Sequence, residues 1–114
     1  MEDSAIVDLY WQRSEQAISE TDRKYGRYCH TIAYNICADN EDAEECVNDT
    51  WFSAWNSMPD KRPSVLSTFL GYITRNFAID RFKLNQMIIS KNPQFTGISA
   101  RQQLEFTTHL LLTD

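Results

Sequence analysis

Apolar positions recur along this chain at helical rather than strand spacing. Near the start, Ile6, Val7, Leu9 and Tyr10 fall among polar neighbours in a pattern that fits a short amphipathic helix over residues 4–13, capped by Asp3 or Ser4. From Ser14 to Thr21 the pattern is mixed. Tyr25, Cys29, Ile32 and Ile36 then lie at i, i+4, i+7 and i+11, with Tyr28 and Ala33 on flanking rows, which is one face of a helix. Gly26 weakens that helix by about 1 kcal/mol relative to alanine without overturning the period. The helix should end near Ala38, where Asp39 is a good N-cap for the next, with Asp42 in the capping-box position. Glu41, Asp42, Glu44 and Glu45 crowd the first turns, where the helix dipole favours negative charge and where an exposed helix start is expected. The apolar face of this third helix is Ala43, Val47, Thr50, Trp51, Ala54 and Met58, with Cys46 adjacent. Asn48, Asp49, Phe52 and Trp55 fall on or near the opposite side, so the two aromatics either fold back into the core or face a partner.

Pro59 and Pro63 bracket a basic loop, and Ser64 or Ser67 can cap the helix that follows. Its apolar rows are Leu66, Phe69, Leu70, Ile73, Phe77, Ile79 and Phe82, with Thr68, Tyr72, Arg75, Asn76 and Lys83 mostly off that face. The predicted fold is all-α, a compact bundle of three to four helices joined by short connections. From about Asn85 the period is lost, although Arg101 to Leu112 could form a last short helix. The expected division is therefore a helical domain over residues 1–84 and a divergent tail over 85–114.

Charge changes this picture more than composition does. With three glycines and three prolines in 114 residues, long helices are favoured over a turn-rich β fold. The net charge of −5 argues against a general nucleic-acid binder, but the charges are segregated. Residues 1–60 hold four basic and thirteen acidic residues, a net of −9, and residues 61–114 hold seven basic and three acidic, a net of +4. Three cysteines without CxxC spacing, no long apolar run and no signal-peptide core in MEDSAIVDLYWQ lead to the expectation of a reduced, cytoplasmic setting without membrane insertion.

Catalytic chemistry finds little footing. There is no P-loop, GxGxxG or GxSxG, His30 and His109 stand alone, and the carboxylates at 41–45 suit a solvated or partner-facing surface better than an acid–base pair. No enzyme activity, cofactor or metal is expected. The loop and last helix carry a different chemistry. Lys61, Arg62, Arg75, Arg81 and Lys83 can meet phosphates, Tyr72 can stack on an unpaired base, and Asn76, one turn away, can read a base edge.

The segments YGRYCHTIAYNICADN, DAEECVNDTWFSAW and STFLGYITRNFAIDRFK, taken together, resemble region 2 of bacterial sigma-70 family RNA polymerase sigma factors, most of all the extracytoplasmic-function type. The likeness covers roughly residues 5–83. It implies a small helical bundle whose acidic helix docks on the clamp helices of the largest subunit of core RNA polymerase. Glu45, Asn48, Asp49, Phe52 and Trp55 are the matching polymerase-binding positions. The resemblance also implies recognition of the −10 promoter element and capture of its melted non-template strand. Lys61, Arg62, Ser64, Phe69, Tyr72, Arg75 and Asn76 are the matching DNA-binding positions. An anti-sigma factor is a further candidate partner.

Two departures shape the alternatives. Family members usually continue into a basic run, a linker and a helix-turn-helix region 4, whereas here Lys83 is followed by LNQMIIS and no helix-turn-helix is recognised in the last thirty residues. Gly71 and Tyr72 occupy positions where members often carry a larger or basic residue. A second reading is thus a protein-interaction module, binding polymerase or an anti-sigma factor without productive DNA binding, from a truncated or divergent sigma factor. A third, purely structural bundle requires Phe52, Trp55 and Tyr72 all to be buried.

Overall fold

The computed structural model describes residues 1–91, and every regular element among them is a helix. These are α1 (Asp3–Trp11), α2 (Gln16–Cys37), α3 (Asn40–Ser57) and α4 (Leu66–Lys91). The expected all-α bundle is therefore the fold. Each boundary has a local cause. α2 stops where Ala38 turns left-handed, at φ 56° and ψ 31°, and donates its N–H to the Tyr34 carbonyl at 2.7 Å. Asp39 is extended and its side chain accepts the Asp42 N–H at 2.9 Å, so the expected N-cap of α3 is in place. α1 differs from expectation at its start. Asp3 is its first residue and does not cap it; its carboxylate instead accepts from Lys24 Nζ at 2.6 Å and from the Tyr25 hydroxyl at 2.7–2.8 Å, tying α1 to α2. α4 starts at Leu66, so Val65 holds the cap position; Ser64 lies one residue before it and Ser67 inside the first turn, and neither expected serine is the cap.

The helices meet through small side chains. α2 buries Ala17, Thr21, Cys29 and Ala33; α3 buries Ala43, Cys46, Val47, Thr50, Trp51 and Ala54; α4 buries Leu66, Leu70, Gly71, Thr74 and Ala78. The expected face of α3 is thus the buried one. That of α4 is not. Its buried positions advance in steps of four from Leu66 to Ala78, while Phe69, Ile73, Phe77 and Ile79 are only half-buried and Phe82 is exposed. The physical reason is closeness. A Cβ at Gly71 would stand 2.9 Å from the Tyr28 hydroxyl, so large side chains fit the flanks of this seam but not its middle.

Buried hydroxyls are paired across the seams. Thr50 and Thr74 are 2.8 Å apart between α3 and α4, and they also approach the Cys46 and Leu70 carbonyls at 2.7 and 2.9 Å. Tyr10 and Thr21 are 2.7 Å apart between α1 and α2, and Thr21 donates to the Ala17 carbonyl at 2.7 Å. The Trp51 indole N–H donates to Asp22 at 3.2 Å. Cys29, Cys37 and Cys46 are free thiols in or beside the core. A hydrogen bond shared by Cys37 and Cys46 lowers the pKa of the first and raises that of the second.

α4 runs without a break through residues 84 and 85, where the sequence loses its period, and buries Ile88 before ending at Lys91. The expected last helix over Arg101 to Leu112 lies outside the described residues. Among those described, no helix is long and apolar enough to cross a membrane.

Two measurements follow. Alanine pays a left-handed penalty at position 38 that glycine avoids, so Ala38→Gly should raise stability by about 0.5–1 kcal/mol once glycine's extra unfolded-state entropy is counted. Urea unfolding midpoints at constant m-value report this. Burial, then the hydrogen bond to Asp3, push the Tyr25 phenol up to about 12. The folded state therefore holds that proton more tightly than the unfolded chain. The stabilisation is complete below pH 10 and is lost as the pH rises through about 12. Tyr25→Phe should flatten the fall in stability over that alkaline window, read by circular dichroism.

Candidate functional site

Two surfaces collect the residues singled out by sequence. The first is the outward side of α3. Asp39 fixes where α3 begins, and from there the 3.6-residue period sends Ala43, Val47, Thr50 and Ala54 inward, and Glu41, Glu44, Asn48, Asp49 and Phe52 outward. Asn48 and Asp49 face opposite flanks. Asn48 lines a groove of about 240 Å³ against α2, with Asp22, Gly26, His30, Glu44 and Val47. Asp49 lines one of about 190 Å³ against α4, with Cys46, Phe77, Asp80, Arg81 and Leu84. Burial, then the neighbouring Glu45, raises the Asp49 carboxyl above the usual carboxylate range, and Arg81 partly offsets this. Phe52, on the crest of the helix, is 69% exposed.

Three expectations change here. Asp42 is not part of an exposed acidic start: it is 2% exposed, with Arg81 Nη1 3.7 Å from its Oδ1. Glu45 is half-buried and drawn to the same guanidinium, at 3.3 Å. Arg81 therefore turns inward to neutralise α3 and does not join the basic surface. Trp55 is also apart from Phe52. It is half-buried and packs against the core, its ring centroid 6.3 Å from that of Tyr10, while the Arg13 guanidinium covers it at 3.7 Å. Arg13 also donates to the Trp55 carbonyl at 2.7 Å.

The second surface comprises the loop before α4 and that helix's first three turns. Lys61, Arg62 and Ser64 are exposed in the loop, and Tyr72, Arg75 and Asn76 are exposed on the helix, Tyr72 at 68%. Phe69 is half-buried against the core and supports the surface from below. Tyr72 lies about 9 Å along the axis from Leu66, so loop and helix groups form successive patches and not one cluster. Asn76 turns toward α3 and lines a groove of about 200 Å³ with Ser53, Ile73, Phe77 and Asp80.

α1 holds the loop, which sequence reasoning missed. The Trp11 indole N–H donates to the Lys61 carbonyl at 3.1 Å. Asp8 pairs with Arg62, whose guanidinium lies 5.8 Å from the Trp11 ring. These contacts span about fifty residues of chain, and no local spacing signals them.

Set against known proteins, residues 22–87, which take in most of α2, all of α3 and most of α4, match the family model described as Sigma-70 region 2. No curated protein and no solved structure matches the chain.

The Arg81 pairing makes a stability prediction. Arg81→Met removes the charge facing two carboxylates, one of them buried, and should destabilise the fold by about 2–3 kcal/mol, below the usual range for a fully buried pair because Arg81 remains about one-fifth exposed. The midpoint of chemical unfolding at neutral pH measures it.

Proposed function

The chain belongs to the Sigma-70 region 2 family, and we propose that it acts as a transcription initiation domain that brings core RNA polymerase to a promoter and holds the opened −10 element. The family's role in RNA polymerase binding and promoter recognition is the coarse ground for this reading. Its finer content is a division of labour between the two surfaces. The α3 surface, with Asn48, Asp49 and Phe52 outward and Glu45 at its edge, is assigned to the clamp helices of the largest polymerase subunit. Trp55 is assigned a supporting place beneath it. The second surface, from Lys61 to Asn76, is assigned to the melted non-template strand, and no chemical step is catalysed.

One observation carries the reading. Phe52 and Tyr72 are large aromatics left about two-thirds exposed, on helices of opposite electrostatic character. Leaving such a ring in water forgoes roughly 2 kcal/mol of burial, and aromatics of this kind are enriched at the buried centres of interfaces. A purely structural bundle would bury both. Lys61, Arg62 and Arg75 supply cations for phosphate, Tyr72 a stacking face, and Asn76 a base-edge partner beside its groove. The cytoplasmic setting expected from the sequence agrees with such a role.

A second reading keeps the polymerase or anti-sigma contact and drops productive DNA binding. It is favoured by the inward Arg81 and by Arg62 being already paired with Asp8, both of which reduce free positive charge.

Two assays separate these. In co-purification with bacterial core polymerase, Phe52→Ala should weaken association at least ten-fold with little change in unfolding midpoint. Retention equal to wild type would remove the α3 assignment. With a single-stranded −10-like oligonucleotide, fluorescence anisotropy should show salt-sensitive binding that drops several-fold in Tyr72→Ala and in Asn76→Ala. Binding untouched in both variants would leave the interaction module as the better account.

A further inference from the structure

Gly71 is buried on a helix whose neighbouring positions form the proposed DNA surface. What occupies the space of its missing side chain comes from another element. A Cβ there would stand 2.9 Å from the Tyr28 hydroxyl, 3.5 Å from Tyr28 Cε1 and 3.4 Å from Ile32 Cδ1. The outer end of the Tyr28 ring thus lies on the α4 backbone, one residue from Tyr72 and one turn from Arg75. Yet Tyr28 is not sealed into the seam, since 44% of it remains exposed. Tyr25 braces it edge-on from the preceding turn, with ring centroids 6.1 Å apart at 65°. Arg27, next to it on α2, is exposed, as is Arg75 on α4.

We propose that Tyr28 is a nucleic-acid-binding residue that carries the DNA surface from α4 across onto α2, where it offers an aromatic platform to an unpaired base, flanked by Arg27 and Arg75 as phosphate partners. The proposal rests on the reading of α4 as a DNA surface and extends it to a helix that reading leaves out. The chemistry suits a single strand. A tyrosine ring left 44% exposed can stack on any base, and guanidinium groups can follow the backbone. Glycine at position 71 makes room for this: a Cβ there would force the Tyr28 hydroxyl to shift. Gly71 and Arg75 share a row of α4, one turn apart, so Tyr28 rests on the side of the helix that carries Arg75.

The test uses the full chain and a single-stranded −10-like oligonucleotide bearing iodinated uracil. Photo-cross-linking followed by peptide mapping should place one adduct on Tyr28, in addition to any on Tyr72. In anisotropy, Tyr28→Ala should lose at least five-fold in affinity while Tyr28→Phe stays near wild type, because stacking needs the ring and not the hydroxyl. Thermal unfolding of each variant accompanies the titrations. Should Tyr28→Ala fail to fold, the wild-type cross-link decides. The proposal is overturned if Tyr72→Ala weakens binding while Tyr28→Ala does not, or if adducts form on Tyr72 and never on Tyr28. If neither tyrosine variant weakens binding, the parent reading of α4 falls, and this extension falls with it.

Discussion

How closely two helices can approach is set by the bulk of the side chains between them, and in this bundle that bulk is kept small. Alanine, cysteine, threonine and glycine line the middle of the seams between α2, α3 and α4. Close packing of this kind maximises dispersion contacts per residue but buries few large apolar groups. It also has an outward effect. Rings that cannot enter the seams stand on their flanks, which is where Phe69, Phe77 and Tyr28 are found. The part-exposed ring of Tyr28 against Gly71 is thus a geometric consequence of a core built from small residues.

Charge is arranged with the same economy. Read along the chain, the front is acidic and the back basic. In space Arg81 crosses from the basic helix to the acidic one and sits beside Asp42 and Glu45, while Asp8 crosses from α1 to Arg62. The first removes charge of both signs from the two surfaces, and the second tempers the positive charge of the loop. What remains outward on α3 is Glu41, Glu44 and Asp49 around Phe52. On the second surface it is Lys61, Arg75 and a shared Arg62 around Tyr72. Electrostatics of this sort steers a partner's approach and excludes wrong ones more than it adds affinity.

Helix identity was legible from period, and so was the buried face of α3, because Val47, Trp51 and Met58 are large enough to mark it. The Asp39 cap was equally plain, since its partner is three residues away. The α4 face was misjudged for the opposite reason. Its phenylalanines outweigh Thr74 and Ala78 in any hydrophobic count, but the inner position is decided by the neighbouring helix, which the α4 sequence does not contain. For Phe52 the sequence left burial and exposure both open, whereas the exposure of Tyr72 followed from its position off the apolar rows. The inward turn of Arg81, the stacking of Arg13 on Trp55 and the grip of Trp11 on the loop did not, because each joins residues dozens of positions apart. α4's continuation to Lys91 was obscured because a polar stretch can propagate a helix that packing has already nucleated.

The two buried hydroxyl pairs described above look alike and differ in one count. Tyr10 and Thr21 have two protons for two contacts. Tyr10 can give its proton to Thr21 while Thr21 gives its own to Ala17, and one fixed chain satisfies both. Thr50 and Thr74 have two protons for three contacts. When Thr50 points across to Thr74, the Cys46 carbonyl loses this donor; when Thr74 points across, the Leu70 carbonyl does. The α3–α4 seam therefore admits two proton arrangements within a single heavy-atom geometry, each leaving one carbonyl without this donor. Donor order at the centre of the fold is left open, where in the α1–α2 seam one order satisfies every contact.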